Sequence, residues 1–475
     1  FAGDDPFNYL IIDNDGSDAV TGTFGTLSNQ FAFLTPSVDY MAGDGNDVAL
    51  GLTPNGAPPP PPPPPTPTPP PPPPTPTPPP PPPTPTPPPP PPTPTPPPPP
   101  PTPTPPPPPP PPPAGPLFPT AATTYNQMGS AMRFEDLDRT PGSDANSVYM
   151  NLLFSSVPQA LTAFDTASGE IYASLLANAG TGGMTRAQRL AARGHEAFAE
   201  GWGFWGGVTG SAGEIDTDAN AADADADSYG LDIGLDYRGT GNGWALGATV
   251  GYLDGGLDID DRLSAAEYDG WHAGGYGRIG TGGAGVTVTG AFSYTDLTAN
   301  VTRGILVNTL NRTARASVDV ETWALTGEAR YGFPIGSGWS AGAIASIHHA
   351  DSELGRVDET GAGALSLTGG DVDDEQTRIG GGLFANWQGT RGGIDLSAQY
   401  VDGHSNVAQV PFALQGAPSA TFPVRSPRTN GGAALMTIAG RYRLGGGWSL
   451  GGEARALVGG DENSIAGSVT IGWEF

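Results

Sequence analysis

The sequence predicts an all-β protein whose larger part is a twelve-stranded antiparallel transmembrane β-barrel. Three observations predict it. Segments after residue 197 alternate apolar and polar residues, the connections between them are alternately short and long, and no run of about 18 apolar residues offers a membrane-spanning helix. Around the barrel the sequence places an N-terminal α-helical linker entering the pore, a polyproline rod and a short β-helix-like remnant.

The last twelve residues, SIAGSVTIGWEF, show the alternation without a break. Ile465, Gly467, Val469, Ile471, Trp473 and Phe475 share one face; Ala466, Ser468, Thr470, Gly472 and Glu474 share the other. In SYGLDIGLDYR the apolar face is Tyr229, Leu231, Ile233, Leu235 and Tyr237, and the opposite face holds Asp232, Asp236 and Arg238. A soluble sandwich also alternates, so the turns decide. Strands are expected near 198–211, 226–238, 243–254, 266–280, 284–297, 315–331, 338–352, 375–388, 393–402, 427–443, 447–458 and 463–475. GTGN, GTGG, FPIGSG, QGTRG and GGG follow even strands, whereas most odd strands end in long polar loops. Short turns at one rim and long loops at the other are the mark of an outer-membrane barrel, and an even strand number returns both ends to the short-turn rim.

GNGWALG, GSGWSAG and GGGWSLG each open a strand after a short turn. Trp244, Trp339 and Trp448 are therefore expected at the periplasmic interface, where amphipathic rings are favoured. Two copies match G-x-S-x-G around Ser340 and Ser449, but each leads into a strand rather than the helix a nucleophile elbow requires. No catalytic residue is expected here. The inward faces should supply Asp232, Asp236, Arg238, Glu328, Arg330, Glu453 and Arg455 to a polar, salt-bridged lumen.

Composition narrows the function. The net charge is −28 and all 20 basic residues are arginine, which argues against binding nucleic acid. With no cysteine there is neither a disulfide framework nor a thiol nucleophile or thiolate metal site. The five histidines show no ligand spacing, and no cofactor or metal is expected. The opening FAGDDPFNYL has neither a basic n-region nor an apolar h-region, so a mature or truncated form is expected.

Residues 58–113 hold 46 of the 58 prolines in repeats of PPPPPPTPT. Polyproline II rises about 3.1 Å per residue, giving a rod of about 170 Å. The simple reading is a spacer in which Thr aids solubility; an O-glycosylated stalk or a track for PPII-binding domains are the alternatives.

The stretch NLLFSSVPQALTAFDTASGEIYASLL (151–176) carries a specific likeness. It resembles the linker of monomeric autotransporters (type Va secretion), in which an AFDxxSGExxAS motif precedes a twelve-stranded translocator barrel. Phe164, Asp165, Gly169, Glu170 and Ser174 fall on that motif. The likeness continues through GWGFWGGVTGS, GWALGATVGYLDGGLDIDD and the aromatic C-terminus, over about residues 120–475. The resemblance implies an outer-membrane translocator that exports and displays an N-terminal passenger, and it implies that Trp473 and Phe475 are read by the barrel assembly machinery. It also implies a monomeric barrel, contact with periplasmic chaperones and with outer-membrane lipids including lipopolysaccharide, and a passenger and Pro-rich stalk at the cell surface. An enzyme or adhesin whose active part lies upstream, or a stand-alone pore, are the competing readings.

The residues say something of their own about this region. Pro158 suits a first helical turn, and Gly169 argues against one long helix. In MTRAQRLAARGHE, Thr185 is a possible N-cap, and Arg186, Arg189 and Arg193 share one helical face. Such a stripe inside an acidic barrel is expected to plug the pore by pairing with lumen carboxylates; an ordinary solvated helix face is the alternative. The expected organisation is passenger remnant 1–52, Pro-Thr linker 53–119, helical linker threading the pore 120–196 and barrel 197–475. Residues 1–52 look like the last turns of a β-helical passenger, with GDGNDVAL (43–50) as a turn between rungs or, less simply, a calcium loop.

Overall fold

The computed structural model describes residues 7–14, 16, 18–55, 115–196, 200–280, 285–403, 407–429 and 431–475. Strands β1 (Phe7–Ile12), β2 (Leu34–Ala42) and β3 (Asp47–Pro54) come first. They form an antiparallel sheet in the order β1-β3-β2. This corrects the β-helical expectation for 1–52, because rungs of a β-helix pair in parallel. The reason lies in GDGN, where Gly43 and Gly45 take φ of +61° and +105° and fold β2 back onto β3 as a hairpin.

Four helices follow. Helix α1 (Tyr125–Glu135) starts at a capping box in which Thr124 accepts from the Gln127 backbone and the Gln127 side chain reaches back. Ser143 caps α2 (Asp144–Leu153) by accepting from Asn146 N–H at 3.0 Å. Helix α3 (Val157–Ala167) begins with a box between Ser156 and Gln159, and Pro158 sits in its first turn. Gly169, at φ +80°, then turns the chain into α4 (Glu170–His195). The expected second helix start at Thr185 is not there: α4 is continuous, and the Thr185 hydroxyl donates to the Thr181 carbonyl (3.0 Å) inside it. Intrinsic propensity disfavours Gly180, Gly182 and Gly183 in a helix, but beside Gly180 and Gly183 the wall excludes anything larger. A Cβ on Gly180 would lie 2.7 Å from Gln376, and one on Gly183 would lie 2.6 Å from Thr322.

The barrel begins with β4 (Gly201–Ile215), β5 (Ala224–Arg238), β6 (Trp244–Ile259), β7 (Ser264–Gly280), β8 (Gly285–Val307), β9 (Leu310–Gly336) and β10 (Trp339–Leu354). Two short strands, β11 (Val357–Asp358) and β12 (Leu367–Gly369), interrupt it before β13 (Val372–Gly389) and β14 (Gly392–Gly403). Two more, β15 (Gln409–Leu414) and β16 (Ala417–Arg425), precede β17 (Ala433–Gly445), β18 (Trp448–Val458) and β19 (Glu462–Glu474). Twelve strands close the barrel, with β19 pairing to β4 from Glu462 opposite Ile215 to Glu474 opposite Gly203. The four short strands form a separate sheet, β11-β12-β15-β16, over the long-loop rim.

Alternation becomes wall as expected. Leu231, Ile233 and Leu235 are exposed on the outside, and Asp232 and Asp236 between them are buried in the lumen. Two aromatic girdles bound the apolar band. The one at the short-turn rim includes Trp202, Trp244, Tyr331, Phe333, Trp448 and Trp473; the other includes Tyr229, Tyr252, Trp271, Trp323 and Tyr400. On β9, Trp323 and Phe333 are roughly 34 Å apart along the strand. A tilt of about 40° reduces this to roughly 26 Å, the height of an outer-membrane apolar band.

Strands β8 and β9 run further than alternation with lipid requires. Expected at 284–297 and 315–331, they continue to a turn at Asn308–Thr309. Their inward residues Ala299, Val301, Ile305 and Val307 are buried, part of one apolar core with Phe164 and Ala167 of α3. Helices α1–α3 and the loop sheet thus make a cap over the barrel mouth, and only α4 enters the pore. The helical linker expected to thread the pore from residue 120 does so from Glu170 onward. The cap core joins Phe134, Leu152, Phe164, Tyr172, Leu365, Phe412 and Phe422.

The Pro-Thr block lies outside the described residues, but both its flanks are described. Asn55 N–H donates to the Phe33 carbonyl (2.8 Å), and the Phe33 ring packs on Phe118 at 5.0 Å. Asn55 and Phe118 thus both touch Phe33. The stalk expectation falls on the block itself and lies outside the described residues.

Candidate functional site: a barrel closed by its own helix

Helix α4 runs from the long-loop rim to the short-turn rim and is tied to the wall at both ends and along its length. At the top, Glu170 accepts from Asn126 Nδ2 (2.9 Å), the Ala222 N–H (2.7 Å) and Arg262 Nε (3.2 Å). Its motif neighbours are structural. Phe164 is buried against Phe134, and Asp165 accepts from Gln127 and faces Arg262. Burial raises the Asp165 pKa, against the lowering influence of Arg262. Gly169 has no space for a side chain, since a Cβ would stand 2.4 Å from Leu367 Cδ1. Ser174 is wholly buried in α4.

The arginine stripe meets the wall residue by residue. Arg186 Nε donates to Thr295 Oγ1 (3.0 Å) rather than to a carboxylate. Arg189 pairs with Asp232 at 3.1 Å, and His272 reaches the same carboxylate at 3.0 Å. Arg193 pairs with Asp236 at 2.6 Å, stacks over Trp205 at 4.0 Å and shares Asp236 with the Tyr276 hydroxyl (3.0 Å). Below it, His195 meets Glu328 (2.7 Å), Arg330 bridges Glu328 (2.6 Å) and Asp395 (2.7 Å), and Arg441 meets Glu196 (3.1 Å). Arg238 donates to the Glu196 carbonyl. The pair Glu453–Arg455 (2.7 Å) works in the opposite sense, with Arg455 donating to the Thr185 carbonyl and to Gln188 on the helix.

Every lumen residue singled out in the sequence thus lies inside the barrel, together with several that were not. His195, Glu196, Asp395 and Arg441 complete the network; the inward strand positions of Asp395 and Arg441 carried a signal, while His195 and Glu196 close the C-terminal end of α4. Arg303 of β8, almost fully buried, binds Glu359 of the loop sheet by two hydrogen bonds of 3.0 and 2.6 Å and the Thr166 carbonyl at 2.6 Å. It sits on the inward register of Ala299, Val301 and Ile305, so the same alternation pointed to it.

The helix is not centred. Its small face (Gly180, Gly183, Ala187, Gly194) presses on β8–β10 and β13, with Met184 and Ala187 against Ala324 and Ala350. On the other side a polar crevice of about 100 Å³ remains, lined among others by Asn178, Gly182, Ser211, Ser228 and Glu462.

At the short-turn rim, Trp244 and Trp448 are exposed, Trp339 is half-buried, and Trp448 lies opposite Trp473 across β18–β19. Phe475 stacks on Trp473 (4.9 Å) and is 62% exposed, while its N–H donates to the Trp202 carbonyl.

The sequence profile of a family described as the autotransporter beta-domain matches residues 204–455. The chain belongs to that family. Its fold is similar to the translocator domain of the autotransporter NalP from Neisseria meningitidis, at TM-score 0.50 and 14% identity over 61% of this chain and 95% of that one. The transport unit of AIDA-I from Escherichia coli matches at TM-score 0.41 and 14% identity over 64% and 99%. The beta domain of the Bordetella autotransporter BrkA matches at 0.39 and 17% over 58% and 100%. Comparison with curated proteins returns no match. This autotransporter barrel is an outer-membrane translocator for a passenger, and the barrel domain is not itself catalytic.

Proposed function

We propose that the translocator exports its passenger to the cell surface and is then held shut by α4, with the cap on the external rim. The polarity of α4 carries this reading. Its C-terminal end joins β4 at the short-turn rim, so the described residues upstream of Gly169 lie on the long-loop side. Short turns belong to the periplasmic side of such barrels, which supports a cap and residues 7–55 on the external side. Trp473 and Phe475, exposed at the other rim, serve as the recognition signal for the assembly machinery, with periplasmic chaperones carrying the unfolded chain. The barrel acts as a monomer in contact with lipopolysaccharide and phospholipid. An enzymatic or an adhesive passenger suits the same translocator.

The stand-alone pore is the weaker reading because α4 fills the lumen. An epitope inserted in the exposed segment around Gly22–Gly25 tests display. Intact cells should bind the antibody; binding only after the outer membrane is opened would overturn the proposal.

A further inference from the structure

The residues upstream of the Pro-Thr block are seated on the helices downstream of it. Ala32 N–H donates to the Ser155 carbonyl (2.9 Å), and Phe31 bridges to Ser156. Phe7 and Phe31 both contact the Phe154 ring, at 5.4 and 6.0 Å. Phe33 meets Phe118 edge-on, and Phe118 in turn contacts Tyr149 at 5.0 Å. Phe33, Leu34 and Phe118 are fully buried, and they share one core with the cap. A three-stranded sheet of this size has little interior of its own, and small sheets need a partner face to persist in water. Here the helices supply it.

We propose that residues 7–55 are a clamp whose docking surface is the α2 helix, the α2–α3 junction and Phe118. The upstream chain is then held at the barrel mouth by its own contacts with the helices, whatever the length of the Pro-Thr block between them.

The absence of cysteine makes the test direct, because spin labels can be placed in the full chain without removing anything. Asp39→Cys with Ser147→Cys, both exposed positions, reports the clamp by electron double resonance. Asp358→Cys with Ser147→Cys reports the integrity of the cap. A single short Asp39–Ser147 distance, unchanged when Pro58–Pro113 is cut to two repeats, is expected. Phe33→Ser should abolish that short distance while the cap pair keeps its own. A broad Asp39–Ser147 distribution in the parent chain that lengthens with repeat number would overturn the clamp, and so would a short distance that survives Phe33→Ser. The measurement does not depend on export, so its failure is distinct from failure of the display reading.

Discussion

Replacing Arg193 by Met keeps the aliphatic stem and removes the charge at the centre of the plug. The guanidinium donates from Nε and Nη2 to Asp236 at 3.1 and 2.6 Å, faces Glu196 at 3.5 Å and lies over Trp205. Without it, Asp236 (side chain 2% exposed) keeps only the Tyr276 hydroxyl among these contacts. Removing one partner of a buried pair costs about 3–5 kcal/mol, because the remaining charge stays desolvated. At about 1.4 kcal/mol per tenfold, the equilibrium between seated and unseated α4 should move by roughly two to three and a half powers of ten. Single-channel recording in planar bilayers reads this as a higher open fraction. Arg193→Met with Asp236→Asn should recover much of the closure, since no orphaned charge remains. An open fraction within threefold of the parent for Arg193→Met would refute the account of how the helix is held.

Three further outcomes are expected. Gly169→Ala forces a side chain into a left-handed turn and against Leu367, and should destabilise the cap by about 1–3 kcal/mol in thermal melts. Deleting Phe475 removes an exposed ring, so the melting of assembled barrel should hardly change while the amount inserted in the outer membrane falls severalfold; equal losses in both would make it a structural residue only. Hydrogen bonds from Arg312 hold the Asp144 carboxyl below its ordinary pKa where it anchors α2 beside the loop sheet. A depressed folded pKa stabilises above the unfolded value of about 3.9 and is lost as pH falls through the folded one. The protection of α2 amides relative to their intrinsic exchange should therefore fall below about pH 4, and Asp144→Asn should remove that fall.

The barrel was legible because lipid on one side and water or charge on the other impose a period of two that local sequence must obey. Even the lumen carboxylates followed from register. The cap was not. Residues 298–307 continue strand β8 with a buried inner face, but what buries it is α3, more than a hundred residues earlier in the chain. The loop strands β11, β12, β15 and β16 are too short to show a pattern. Capping signals at Thr124 and Ser143 were present for α1 and α2 and Gly169 does break the helices as expected, whereas α4 runs straight through Thr185, where a new start was expected. The antiparallel N-terminal hairpin differed from a rung only in how two glycines turn.

The overlong β8–β9 hairpin has a mechanical consequence. It stands above the outer aromatic girdle by the stretch from Tyr294 to Val307, roughly 40 Å of strand, and α3 leans on its inner side. A pull on the chain upstream of α3 is therefore shared by two anchors. One is α4, whose ion pairs are strung along the pore axis and resist together in shear. The other is a rigid mast continuous with the barrel wall, which takes the sideways component. A sideways load on the chain upstream of α3 therefore reaches the barrel wall through β8 and β9 as well as through α4.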